Sequence, residues 1–149
     1  MPFFASNIQV QNLWLLFCRT YYAMQKARSR ELRKYGISTS EAEAILAIKT
    51  IDKQATPTQI SQWMLREPHT VYGLLKRMEK KGLIVSNKDQ DRKNLISVYL
   101  AENGEILYRQ LYEKKIERII TTLSSQRQHQ LITLLTILLA KALKVQKKT

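Results

Sequence analysis

This 149-residue chain holds little that could support covalent or metal chemistry. It has a single cysteine, Cys18, which excludes an intrachain disulfide and any metal site built from several cysteines. Its two histidines, His69 and His129, fall in separate predicted helices. No glycine-rich phosphate loop, metal-ligand spacing or Ser-His-Asp set can be read in the sequence. The expectation is a protein that is not an enzyme and has neither cofactor nor metal. The longest apolar tract, Leu131–Leu143, is interrupted by Thr133, Thr136 and Lys141. It falls short of the roughly 20 apolar residues a spanning helix needs. The start, MPFFASNIQV, lacks the basic and apolar regions of a signal peptide, so a cytoplasmic protein with no membrane partner is expected.

Acidic residues are also scarce. Asp and Glu number 12 against 25 Lys and Arg, a formal net charge of +13. The excess is spread along the chain: 8 basic and 4 acidic groups in residues 1–56, 8 and 4 in 57–100, and 9 and 4 in 101–149. No basic tail accounts for it. Such a balance favours polyanions, nucleic acid before an anionic membrane surface.

With 4 glycines and 3 prolines, breakers are few, and they punctuate helices. Gly36 and Gly82 follow helical patterns and suit left-handed C′ positions. Pro57 and Pro68 precede apolar periodic runs and suit first-turn positions. The first helix is expected over about Asn7 to Tyr35, with Val10, Leu13, Trp14, Phe17, Tyr21 and Met24 at helical spacing. A second, about Ser40 to Ile51, opens with a capping-box pattern, Ser40 and Glu43, and buries Ala42, Ile45, Leu46 and Ile48 or the Lys49 stem. Thr56-Pro57-Thr58-Gln59 opens a third, with Ile60, Trp63 and Met64 inward. The fourth runs from Glu67 to Gly82. Leu83–Ser86 and Leu95–Leu100 are short and β-branched around a charged turn, and read as a hairpin. A fifth helix runs from about Glu102 to Leu123. A sixth, Ser125 to Leu143 behind Ser124 as N-cap, is apolar nearly all round and needs covering on more than one side. A partner subunit is the economical cover, so a homodimer is expected.

The fourth helix has an apolar stripe, Val71, Leu74, Leu75 and Met78, at i, i+3, i+4 and i+7. Its other side carries His69, Thr70, Tyr72, Gly73, Lys76 and Arg77, donors and cations without a carboxylate among them. Such a face suits the major groove of double-stranded DNA. An exposed helical glycine costs roughly 1 kcal/mol; Gly73 either admits close backbone approach to the duplex or is simply tolerated. In the turn that follows, Lys88, Arg92 and Lys93 are candidate wing contacts. Asp89 and Asp91 would repel phosphate and are expected to brace those cations or Arg77 rather than contact DNA.

The run Thr70-Val71-Tyr72-Gly73-Leu74-Leu75-Lys76-Arg77-Met78-Glu79-Lys80-Lys81-Gly82-Leu83-Ile84, continued through Asp91-Arg92-Lys93-Asn94 and Leu100-Ala101-Glu102-Asn103-Gly104, resembles the MarR (multiple antibiotic resistance regulator) family. The resemblance spans nearly the whole chain. It implies a mainly α winged helix-turn-helix with six helices and a β-hairpin wing. Within a single domain, 1–149, residues 40–100 would form the DNA-binding core. Residues 1–36 and 102–149 would supply intertwined dimerisation helices. The implied function is a DNA-binding transcriptional regulator, expected to be a repressor, on a pseudo-palindromic operator. In that family a phenolic or other small ligand, or cysteine oxidation, commonly weakens DNA binding. Arg19, Tyr21, Tyr22 and Tyr108, where the first, second and fifth helices would meet, are the candidate effector pocket, or they pack the dimer interface. Cys18 is the candidate redox sensor, or a small core residue beside aromatics. Two departures stand out: Ala101 where the family has a capping Thr, and a wing without the regular Asp-x-Arg-Asp-x-Arg series. A non-specific nucleic-acid architectural protein needs the same charge and is the alternative function; a winged domain used only for protein contacts is a third.

Overall fold

A computed structural model describes residues 2–51, 54–88, 95–111 and 114–147. The chain divides into two compact units, residues 1–113 and 114–149. The first contains α1 (Pro2–Leu32), a 3-10 turn (Arg33–Tyr35), α2 (Thr39–Ile51), α3 (Pro57–Met64), α4 (Pro68–Lys80), strands β1 (Ile84–Lys88) and β2 (Ile96–Leu100), and α5 (Glu102–Gln110). The second contains α6 (Lys114–Ile120) and α7 (Ser125–Gln146). The mainly α architecture with a hairpin wing is as expected. The expected fifth helix is represented by α5 and α6, which lie in different units.

Helix ends follow local chemistry. Gly36 and Gly82 adopt φ of 69° and 72°, the left-handed region that glycine enters at no Cβ cost. Each closes a Schellman motif. Ile37 N donates to Leu32 O and Gly36 N to Arg33 O; Leu83 N donates to Met78 O and Gly82 N to Glu79 O. The flanking pairs Leu32–Ile37 and Met78–Leu83 are all buried, the apolar contact that accompanies this motif. The expected capping box at Thr56 is present, with Thr56 Oγ1 accepting from Gln59 N and Gln59 Oε1 from Thr56 N.

The box expected at Ser40 and Glu43 is not used. Ser38 Oγ accepts from Glu41 N at 3.1 Å, and Glu41 Oε2 accepts from Ser38 N at 3.0 Å, two residues earlier. Both pairs have the same spacing, and packing chose between them, because Glu41 is buried and has a lysine partner.

The core of the first unit runs from Leu32 through α2, α3 and α4 to the wing and Leu111. α2 is its centre, touching α1, α3, α4, β2 and α5. Hence Ala44 and Ala47 are buried beside the expected Ala42, Ile45 and Ile48, where small side chains let neighbours close in, whereas Leu46, expected inside, is only half-buried. On α3 the inward set is Pro57, Ile60, Ser61 and Met64, whereas Trp63, expected inside, is 43% exposed. Ile60 and Met64 satisfy a stripe through Trp63 or one through Ser61, and the close approach favours the smaller residue.

β1 and β2 pair antiparallel, from Ile84 opposite Leu100 to Lys88 opposite Ile96. Ala55, just ahead of α3, adds a bridge: its carbonyl accepts from Val98 N at 2.7 Å, fastening the hairpin to the helices. Gly104 answers a demand of the same region. A Cβ there would overlap the Leu83 carbonyl oxygen, itself the acceptor for Ala101 N at 2.9 Å.

In the second unit α7 is capped by Ser124, whose hydroxyl accepts from Arg127 N. None of its described side chains is buried; Ile132, Leu134, Ile137 and Leu138 stand outward with Leu131, Leu135 and Leu139. No helix among the described residues is long and apolar enough to cross a membrane.

Candidate nucleic-acid interface

α4 begins with Pro68 at N1, where its missing donor costs nothing. The turn before it passes through Leu65, whose φ of 54° is left-handed in a residue with a Cβ, at a cost of about 1–2 kcal/mol. That strained residue lets Leu65 N reach Gln62 O and Arg66 N reach Ser61 O, stopping α3 abruptly and starting α4 only three residues on. The result is a tight helix-turn-helix.

Val71, Leu74, Leu75 and Met78 are all buried, and Met78 is inaccessible. Fixing four apolar side chains of one stripe, each contributing about 1.5–3 kcal/mol, leaves the helix no rotational freedom. His69, Thr70, Tyr72, Lys76 and Arg77 are therefore all exposed, with Gly73 half-buried among them. These six were read from sequence as one face, and the fold brings them together as one. Arg77 lies back along the helix: a Cβ built on Gly73 would stand 3.5 Å from its Nη1, an ordinary contact. The fold itself therefore does not require glycine at 73.

The face is not free of acid. Glu67 at the N-cap makes no capping hydrogen bond, and it and Glu79 in the last turn are exposed. Both lie at the ends of the helix, so the central turns remain cationic. Lys80, also outward by helical spacing, is exposed, and so is Trp63, which was missed because its spacing reads as core.

In the wing, Lys88 is the last residue of β1 and is exposed. Asp89, Asp91, Arg92 and Lys93 lie outside the described residues.

The candidate effector residues are not gathered. Arg19, Tyr21 and Tyr22 are exposed along α1, Tyr21 and Tyr22 edge to face at 5.7 Å. Tyr108 is half-buried against the core with Lys49 Nζ 5.1 Å from its ring centre. A cavity of about 370 Å³ lies elsewhere, lined by Ile48, Lys49, Ala55, Val98, Tyr99, Leu100 and Glu105. Lys49 and Glu105 pair across it at 3.0 Å. Cys18 is a half-buried free thiol on α1, a helix that also exposes Leu13, Trp14, Leu16 and Phe17. Among the described residues no group of His, Cys, Asp and Glu is placed to hold a metal.

No family sequence model matches the chain. It is 26% identical over 142 residues, 93% of this chain and 87% of the relative, to the HTH-type transcriptional regulator YfiV of Bacillus subtilis. It is 23% identical over 130 residues to another from the same bacterium, YkoM, covering 85% of this chain and 84% of that one. Among solved structures it resembles the organohalide-sensing regulator RdhR-CbdbA1625 in its 2,4-dichlorophenol-bound form, with a TM-score of 0.80 and 25% identity over 91% of this chain and 82% of that one. The S. aureus MepR–DNA complex shares the fold, with a TM-score of 0.74 and 20% identity over 86% of this chain and 96% of that one. The tight helix-turn-helix, with the hairpin fastened to it through Ala55, thus lies in a chain that shares its fold with solved transcriptional regulators and is similar in sequence to two HTH-type transcriptional regulators.

Proposed function

We propose that the protein is a sequence-specific DNA-binding transcriptional regulator, a repressor that acts as a homodimer on a pseudo-palindromic operator. One observation carries this: α4 has its whole apolar stripe buried and the whole set His69, Thr70, Tyr72, Lys76 and Arg77 exposed. A rigidly held helix can present the same donors to the same base edges each time, which discrimination requires. The wing set Lys88, Arg92 and Lys93 supplies phosphate or minor-groove contacts in this reading, with Asp89 and Asp91 bracing them. MepR has been solved with DNA.

The dimer is supported by two helices with apolar residues on display, α1 and α7. An apolar surface of this extent on a soluble protein marks an interface. Residues 1–36 and 102–149 would supply it, around the 40–100 core. Two-fold symmetry sets two copies of α4 about one helical turn of DNA apart, hence an inverted repeat. A small-molecule effector has the cavity lined by Ile48, Lys49, Tyr99 and Glu105 available, rather than the residues Arg19, Tyr21, Tyr22 and Tyr108; RdhR-CbdbA1625 has been solved with 2,4-dichlorophenol. Location in the cytoplasm accords with this role.

The test is selection from random-sequence duplexes with the full-length protein, followed by competition at physiological salt. The enriched duplex should contain an inverted repeat and bind at least ~10³-fold more tightly than a scrambled one. Uniform affinity lost with added salt would establish the architectural alternative instead, and no binding at low salt would leave only a role in protein contacts. Lys76→Ala and His69→Ala should narrow the gap between selected and scrambled duplex, while Arg92→Ala weakens both alike. Equal effects from all three would contradict that division.

A further inference from the structure

α2 carries two carboxylates two residues apart, and each is tied to one end of the recognition helix α4. Glu41 is 4% exposed, and both its oxygens accept from Lys81 Nζ, at 2.8 and 3.0 Å. Lys81 is the C-cap of α4, and its ammonium also donates to Gly36 O at 3.3 Å, in the turn that joins α1 to α2. Glu43 points elsewhere. Its Oε2 lies 3.5 Å from Arg66 Nη2, in the turn leading into α4. Its Oε1 accepts from Gln25 Nε2 of α1 at 3.4 Å, and that amide also donates to Tyr21 Oη at 2.7 Å.

A carboxylate in a DNA-binding module opposes the polyanion and lowers affinity unless it does something else. These two do not lie on the exposed face of α4. They brace its ends, from the helix that touches α1, α3, α4, β2 and α5. Base-edge hydrogen bonds tolerate displacements of about half an ångström, whereas attraction to phosphate falls off gradually with distance. A small tilt of α4 would therefore erode discrimination before it eroded affinity.

We propose that Glu41 and Glu43 are positioning residues for base readout, clamping α4 at its C-terminal and N-terminal ends through Lys81 and Arg66. The proposal rests on the DNA-binding reading above. The Lys81 end is the stronger, since it has two short contacts to a buried acceptor. The Arg66 end is more exposed and is the one connected to α1.

The experiment compares full-length wild type with Glu41→Gln and Glu43→Gln. The ratio of affinities for the selected duplex and a scrambled duplex of the same composition is measured well below the melting temperature. Glutamine keeps the shape and an acceptor for Ser38 N while removing the charge. Plain electrostatics makes both variants bind all DNA more tightly and leaves the ratio alone. The clamp instead lowers the ratio, roughly tenfold for Glu41→Gln and about threefold for Glu43→Gln, in keeping with a buried carboxylate and a partly exposed one, each paired with a half-exposed cation. The exchange Glu43→Arg with Arg66→Glu should restore the ratio to about the wild-type value. Ratios at the wild-type value in both variants overturn the proposal, as does a lowered melting temperature with the ratio intact. If Glu41→Gln fails to fold, Glu43→Gln and the exchange decide alone: an unchanged ratio overturns, a loss restored by the exchange supports. Wild type without preference for any duplex defeats the functional reading and this with it; preference in wild type that survives in the variants defeats only the clamp.

Discussion

Replacing Gly73 with alanine separates what α4 needs as a helix from what it needs as a reader of DNA. Glycine in a helix interior costs about 0.5–1 kcal/mol relative to alanine. Nothing in the packing demands it, because the added methyl would meet only Arg77 Nη1, at 3.5 Å. Gly73→Ala should therefore stabilise the fold by about that amount, a rise of roughly 1–4 °C in melting temperature for a chain of this size. If the backbone at 73 approaches the duplex, the same methyl intrudes on a close contact, and overpacking of that kind costs about 1–3 kcal/mol. The selected duplex would then bind roughly five- to 150-fold more weakly. The assay is thermal unfolding beside titration of labelled duplex at fixed salt. Higher stability with unchanged affinity refutes the close-approach account of Gly73. Lower stability refutes the packing argument itself.

Gly104→Ala should do the opposite at the other end of the wing. Its Cβ would overlap the Leu83 carbonyl oxygen and stand 3.4 Å from Leu100 Cβ, so backbone must shift; a loss of about 1–3 kcal/mol in chemical denaturation is expected, and a neutral result would show that α5 can slide. Ala101→Thr should stabilise by about 1 kcal/mol, because Ala101 is an N-cap with φ −73°, ψ 173° and no side-chain bond to the helix, the geometry a threonine hydroxyl serves. No change in unfolding midpoint would mean that the hydroxyl cannot reach the first turn. Cys18→Ser tests redox control: peroxide-treated variant and wild type should bind the selected duplex alike if the thiol is only a packing group, and a loss confined to wild type would make it a sensor.

What could be read without coordinates was local. Apolar residues at i, i+3, i+4 and i+7 located the buried stripe of α4 because helical periodicity is a property of consecutive residues. Gly36 and Gly82 located helix ends because a left-handed C′ position penalises every residue with a Cβ. The missing cap at Ala101 was visible as a departure from the capping threonine of the resembled family. The candidate DNA face followed directly, being what remains once that stripe is buried.

Everything that joins distant segments was decided by the tertiary fold. Ser38–Glu41 and Ser40–Glu43 spell the same capping signal, and only Lys81, forty residues on, selects the first by pairing with Glu41. Trp63 and Ser61 fit the α3 stripe equally well until α3 meets its neighbours. The closeness of Gly104 to Leu83, and the bridge from Ala55 to Val98, leave no periodic trace because each is one contact between segments far apart in the chain. The scarcity of cysteine, histidine clusters and acid pointed away from catalysis and towards a polyanion. How firmly α4 is held, and by which carboxylates, is a matter of three-dimensional packing that no run of consecutive residues encodes.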